Sequence, residues 1–447
     1  MSTSSSYRSA LLILALVAPA LAQQTAVRTP DTGAIQLTLR DAVATALRQN
    51  PQVILSNLGV ARSEQEKQIA RSGLLPQVAG TVGESVHRLN LETAIGFGFP
   101  GFAQHVGPFW VSQAGLGVDA PVFDLTLWRR YRGSQYGIDS SKAAQTTARE
   151  ESVLLVVSQY LGAQRAAADV KAAQSRIELA QALYDQAADL QKNGVGTGID
   201  TLRANVQLQN EKQRLIQSQT RLDTTLFGLS RLLNVDPHRK IELADQVNFF
   251  ETPAVSPEQT LDRAYSDRPE LKQLASEQRR AELEQKSAGE QRLPRVSVNG
   301  SWLEQGLAPT SAIPVYIYSA NVDFPIFTGG RIQAQRAEAD IALRSLHQRE
   351  TELKNQIAQE VKTALAQLEA ARNEVKVANM GLDLARQEVD QARDRFQAGV
   401  ANNIEVITAQ DELARANDNQ IGALYRYNQA RADLAHAVGQ MEAVYAK

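Results

Sequence analysis

The chain has no cysteine, which excludes disulfides, thiolate metal sites and a lipid-modified N-terminal cysteine. It lacks charge imbalance as well. The net charge is −2 and acidic and basic residues are interspersed, so no basic face argues for nucleic acid. Its five histidines, His87, His105, His238, His347 and His436, are scattered without ligand spacing. No nucleophile, base or metal cluster converges, so neither catalysis nor a cofactor is expected. Beyond the first residues no apolar run is long enough for a transmembrane helix. A chain of this kind enters a membrane only as strands. From Arg331 to Ala398 there is no proline, and the only glycine is Gly381.

What is present begins with a leader. Arg8 precedes an apolar core from Ala10 to Ala18, and Ala20-Leu21-Ala22 closes it, which predicts a secretory signal over residues 1–22 and an exported protein.

The rest is written twice. Asn50-Pro51 and Leu75-Pro76 recur as Arg268-Pro269 and Leu293-Pro294, 218 residues later (269 − 51). Asp119-Ala120-Pro121-Val122-Phe123 recurs as Asp323-Phe324-Pro325-Ile326-Phe327, 204 later (325 − 121). Gly194-Val195 and Ile199-Asp200 recur as Gly399-Val400 and Ile404-Glu405, 205 later (399 − 194). Such self-similarity reads as an internal two-fold repeat. The expected units are 35–235 and 257–440, joined by 236–256.

Each unit opens with short helices, Leu39 to Gln49 and Leu261 to Asp267, followed by a Pro-initiated polar helix. Leu-Pro ends that helix and the period changes to two. Val296, Val298, Gly300 and Trp302 alternate with Arg295, Ser297, Asn299 and Ser301. On the return, Tyr316, Tyr318, Ala320 and Val322 alternate with Val315, Ile317, Ser319, Asn321 and Asp323. In the first unit Trp110, Ser112, Ala114, Leu116 and Val118 alternate with Val111, Gln113, Gly115, Gly117 and Asp119. Strands apolar on one face, polar on the other and aromatic towards the ends fit a membrane barrel. The first unit's connecting loop, 14 residues longer (218 − 204), is Gly- and Phe-rich around Thr93–Phe102.

Long helices follow. Val361, Ala364, Leu368, Ala371, Val375, Ala378, Leu382, Ala385, Val389, Ala392 and Phe396 keep alternating steps of three and four. Val156, Ala163, Ala166, Val170, Ala173, Ile177, Ala180, Tyr184 and Ala187 form the same seam in the first unit. A sustained heptad imposes a left-handed supercoil, and alanine in the seam brings the partner backbone close. Nearly seventy residues at ~1.5 Å each make a rod of about 100 Å. Gly194 and Gly399 stop the rods, and helical pattern resumes at once, so each unit ends in a helical hairpin. Gly194-x-Gly196-x-Gly198 follows a helix rather than a strand and has no Lys-Ser/Thr, which removes a phosphate-loop reading.

The opening Leu39-Arg40-Asp41-Ala42-Val43, the two Leu-Pro breaks, the Pro-Val/Ile-Phe ends of the return strands and the two Gly tips occur in one order, twice. In this the chain resembles the TolC-like outer-membrane efflux proteins, over about residues 35–440. The resemblance implies a mixed α and β membrane protein: a homotrimer with a twelve-stranded β-barrel, four strands per protomer, continuous with a helical coiled-coil barrel in the periplasm. It implies a passive export duct of a tripartite efflux or type I secretion system. The implied partners are a periplasmic adaptor, an inner-membrane transporter of the RND, ABC or MFS type, and outer-membrane lipid. The rival is a periplasmic adaptor, which also carries long coiled-coil hairpins. In the family an acid six residues after the tip glycine lines the entrance, a place held here by Asp200 and Glu405. Both are also ordinary first-turn carboxylates favoured by a helix dipole. Phe396 and Ala401 stand where some members carry a polar latch, and Arg203 and Thr408 where they carry a second acidic ring. Asp119 and Asp323 are expected on the lumen side of the strands.

Overall fold

The computed structural model describes residues 35–91, 93, 96–97, 101, 103–245, 256–398, 400–401 and 403–446. The expected leader, Gly399 and most of the Gly/Phe-rich loop residues lie outside the described residues, as does 246–255 of the joining segment.

Strand β1 (Ile35–Leu37) leads into helix α1 (Leu39–Gln49). Thr38 and Asp41 start α1 reciprocally: Asp41 N–H donates to Thr38 Oγ1 at 3.1 Å, and that hydroxyl donates to the Asp41 carboxylate at 2.7 Å. Asn50 separates α1 from α2 (Pro51–Ser72), where Pro51 stands in the first turn and its missing N–H costs nothing. After β2 (Gln77–Asn90) and β3 (His105–Phe123), the carboxylate of Asp124 accepts from Thr126 and Leu127 N–H at 2.8 and 3.3 Å and opens rod α3 (Leu125–Lys192). Returning helix α4 (Gly198–Leu233) ends on left-handed Asn234, and β4 (Ile241–Leu243) pairs parallel with β1.

The same order follows again: α5 (Pro257–Asp267), α6 (Pro269–Glu290), β5 (Arg295–Gly306), β6 (Ile313–Asp323), rod α7 (Arg331–Gln397) and α8 (Asn403–Val438). A short α9 (Met441–Tyr445) finishes the chain, its first N–H groups donating to buried Glu150 on α3 at 2.6 and 3.2 Å. The rods are 68 and 67 residues long and the returning helices 36 each. The strands differ more, 14 and 19 residues against 12 and 11, so the halves diverge at the strand end and not along the rods.

The four long strands form one antiparallel sheet in the order β2-β3-β5-β6. Register sets its two faces. Leu116 lies opposite Trp302, and Trp302 opposite Tyr316, continuing the exposed apolar surface of Val78, Val82, Trp110 and Tyr318. The rings of Trp302, Tyr316 and Tyr318 follow one another at 6.3 and 5.8 Å. On the opposite face the Asn299 amide donates to the Asp119 carboxylate, and the Asn321 amide donates to Asn299 Oδ1 at 2.9 Å, a polar ladder across three strands.

The helices lie side by side. Near the sheet α3 packs between α2 and α6, with α7 beyond α6; towards the tips α3 packs between α4 and α8, with α7 beyond α8. The alanine seam of α3, namely Ala163, Ala166, Ala173, Ala180 and Ala187, is buried, as are Val361, Ala364, Ala371, Val375, Leu382, Ala385, Val389 and Ala392 of α7. The main core sits midway, where Val43, Ala46, Val156, Val157, Tyr160, Leu229 and Leu233 meet. There the Tyr160 hydroxyl stands 2.9 Å from both Leu37 O and the Asp245 carboxylate; burial first, and then that carboxylate, push it well above the ordinary tyrosine range.

Candidate channel aperture

The first tip is closed by the backbone. Past Lys192, Gly194 takes φ +76°, its N–H donating to Gln191 O at 3.0 Å while Val195 N–H donates to Leu190 O at 3.0 Å. These are the two bonds of a Schellman stop, which needs a left-handed residue where Gly194 stands. At the second tip Val400 N–H donates to Arg395 O at 3.0 Å, the counterpart of the Val195 bond. Gly399 itself lies outside the described residues. Val195 and Val400 are left exposed at the ends of the hairpins.

The two acids sit alike and bond differently. Asp200 lies in the first turn of α4, where its carboxylate accepts the Thr197 hydroxyl and its N–H donates to Thr197 O at 3.1 Å. Glu405 lies in the first turn of α8 and pairs across the hairpin with Arg395, Nε to Oε1 2.8 Å. Both partners of that pair are about half exposed. The guanidinium offsets part of the Glu405 charge, so the two carboxylates are not equivalent.

Phe396 stands in the last turn of α7. It lies partly buried against a cluster of Leu183, Ala187 and Ala204 from one hairpin and Val389, Ala392, Val406 and Ala409 from the other. That cluster joins the hairpins near their tips. Above it the Gln207 amide donates to Asp411 at 3.0 Å and Arg176 pairs with Asp418 at 2.8 Å.

Asp119 and Asp323 lie a rod length from the tips, on the polar face of the sheet. Asp119 ends the amide ladder, while Asp323 stands opposite Arg295 in the β5–β6 register. The structure therefore does not bring the strand acids and tip acids together. Among the described residues no group of His, Asp and Glu could hold a metal, and no helix is long and apolar enough to cross a membrane.

A sheet with one apolar and one polar face, continued by rods of paired helix, defines an outer-membrane channel with a helical extension. The outer membrane efflux protein family model matches residues 42–235 and 260–440. The alkaline protease secretion protein AprF of Pseudomonas aeruginosa is 26% identical over 347 residues, covering 73% of this chain and 69% of that protein. The pyoverdine export outer membrane protein OpmQ of the same organism is 23% identical over 398 residues, covering 85% and 80%. Among solved structures, the CmeC outer membrane channel of Campylobacter jejuni superposes with a TM-score of 0.79 at 17% identity, covering 90% of this chain and 85% of that one. The open state of the Neisseria gonorrhoeae MtrE channel gives 0.74 at 17% identity, covering 90% and 88%. The chain belongs to the outer membrane efflux protein family. It is an outer-membrane channel of the efflux and secretion type and not an enzyme. The adaptor reading falls with this, since all four long strands form one sheet at the end of the rods.

Proposed function

We propose that three copies close into a single export duct, with twelve strands in the outer membrane and a coiled-coil barrel of helices in the periplasm. The observation that carries this is the state of the molecule's two sides. In the single chain β2 and β6 are both edge strands, with backbone groups on their outer sides unpaired by any described strand. The flanking helices are bare in the same way: Leu55, Leu58 and Ile69 on α2, Val206, Ile216 and Phe227 on α4, and Ile341, Val377, Met380 and Leu384 on α7 are exposed apolar residues. One side of the protomer thus presents α2, α4 and β2, and the other α7 and β6. Head-to-tail contact between such sides generates a closed ring and covers every edge.

In this reading the chain is an internal two-fold repeat, 35–235 and 257–440 joined by 236–256, behind a leader of residues 1–22 removed on export. The near-equal rods, and a family model that matches in two blocks, support the duplication. The tips gate the tube, with Gly194 and Gly399 turning it and Asp200 and Glu405 offering six carboxylates per trimer around the mouth. Converging carboxylates focus negative potential and favour cations. Asp119 and Asp323 line the barrel lumen. The exposed Val195 and Val400 form apolar tips for a periplasmic adaptor, which would connect an inner-membrane transporter of the RND, ABC or MFS type.

The test is a planar bilayer. Purified protein is expected to run as a trimer by light scattering, to conduct, and to prefer cations. Asp200→Ala/Glu405→Ala is expected to reduce that preference. A monomer, or silence across the bilayer, defeats the duct; an unchanged preference defeats the acidic mouth.

A further inference from the structure

A cavity of about 840 Å³ lies where the rods meet the sheet, over the face of α3 between α2 and α6. Its charged lining includes Arg130, Arg280, Arg295 and Arg331 against Glu66 and Glu284. Leu127, Leu283 and Ala288 add apolar lining, with Gly133 and Gly137 beside the Arg280 side chain.

The register says which way the cavity opens. Arg295 lies four residues before Asn299 along β5, hence on the same face as the Asp119–Asn299–Asn321 ladder. Trp128, with the Arg132 and Arg129 guanidinium groups 4.9 and 5.4 Å from its ring, does not line the cavity. The cavity therefore shares the polar side of the sheet, which on the duct reading is the lumen.

The cations in it are unequally neutralised: Arg129, also in the lining, pairs with Glu290 at 2.8 Å. Arg280 pairs with Glu284 at 2.9 Å. Arg331 donates to the neutral Gln291 and Gln335 at 2.9 and 3.0 Å. Arg130 is exposed and has no ion pair among the described residues. Guanidinium groups with open donors beside apolar surface recognise a carboxylate or phosphate attached to a less polar body.

We propose that this cavity is an anion-binding station in the duct wall, which engages carboxylate-bearing cargo through Arg130 and Arg331. With the acidic tips at the other end of the rods, the tube has opposite charge preferences at its two ends. Anionic cargo is then repelled at the mouth but drawn to the junction below the barrel. The proposal rests on the duct reading for its orientation, though not for the binding itself.

Citrate is the probe, added to the barrel side of a bilayer holding the full-length protein. Wild type is expected to show concentration-dependent block. Arg130→Ala/Arg331→Ala should raise the half-blocking concentration by about tenfold or more, as loss of charge-assisted bonds implies, and Arg130→Lys/Arg331→Lys should fall between. Absence of block, or equal block in wild type and the alanine variant, overturns the station. Where wild type does not conduct, the duct reading fails instead. Calorimetric citrate titration of the detergent-solubilised protein then decides: binding heat lost in the alanine variant supports the station, and no heat or unchanged heat overturns it.

Discussion

Asn50 and Arg268 hold equivalent positions in the two halves and do the same work with different chemistry. Asn50 Nδ2 donates to Leu232 O at 2.8 Å, at the end of α4. Arg268 Nη1 donates to His436 O and Ala437 O at 3.3 and 3.4 Å, at the end of α8. Each side chain satisfies carbonyls that a helix end leaves open, and so ties the start of its half to the end of its returning helix. Arg268 is buried, with Glu270 at 3.1 Å and Glu360 at 2.9 Å. Asn50→Ala removes a cap and costs about 1 kcal/mol. Arg268→Ala also strands two half-buried carboxylates, a loss of about 3 kcal/mol. Thermal melting in detergent is expected to rank them in that order; equal shifts would show that the Arg268 ion pairs carry no weight.

In the proposed duct, the Arg395 guanidinium sits 2.8 Å from the Glu405 carboxylate at the mouth. On the duct reading, Arg395→Ala removes a guanidinium from beside one carboxylate per protomer and is expected to strengthen cation preference, whereas Glu405→Ala weakens it. The exposed pair contributes at most about 1 kcal/mol to stability, so melting should barely move. The selectivity change should fade at high salt, because exposed charges are screened within ~3 Å at 1 M. Reversal potentials at two ionic strengths measure both effects.

Arg395 also shows what the sequence could not supply. The rods, seams and tip turns were legible because each follows a periodicity or a backbone requirement carried by consecutive residues. The faces of the sheet were legible for the same reason, from Trp110 to Asp119 and from Arg295 to Trp302. Arg395 lies ten residues before its partner, across a turn, and the residue 205 earlier is Leu190, so matching the two segments of sequence gives no sign of the pair. Phe396 is named as a tip residue from its distance to a glycine, and its packing against a cluster drawn from both hairpins is what no local pattern reveals. The β1–β4 pairing was invisible too, since three-residue strands 206 positions apart have no period to detect.

The tip glycines separate two kinds of steric demand. A Cβ on Gly194 would meet nothing within 4 Å, so Gly194→Ala suffers only the left-handed backbone, about 1 kcal/mol. A Cβ on Gly196 would stand 2.8 Å from Gln191 N and 2.9 Å from Leu190 C, a clash with backbone that cannot swing aside. Gly196→Ala is therefore expected to open the turn more than Gly194→Ala. Hydrogen exchange at Val195 N–H, which donates to Leu190 O, reads that opening locally. Greater protection loss in Gly194→Ala would reverse the assignment.

Glu211 on α4 supplies a pH test. Its side chain is buried, Oε1 accepts from Arg214 at 2.7 Å, and Oε2 has no hydrogen-bond partner among the described residues. Burial, more than any neighbour, raises its carboxyl above the ordinary 4.5; Arg214 and Arg176 lower it, and Asp411 and Asp418 raise it further. A carboxyl whose folded pKa exceeds its unfolded value binds more protons when folded. Its contribution to stability is therefore greatest below the ordinary value and is lost as pH rises through the folded one. Glu211→Gln removes the ionisation and keeps the shape. The variant is expected to melt higher than wild type at pH 8, by about 1–3 °C, with the gap narrowing as pH falls towards 4.5. A gap that widens on acidification would mean that the Arg214 pair, and not desolvation, sets the energy of this carboxylate.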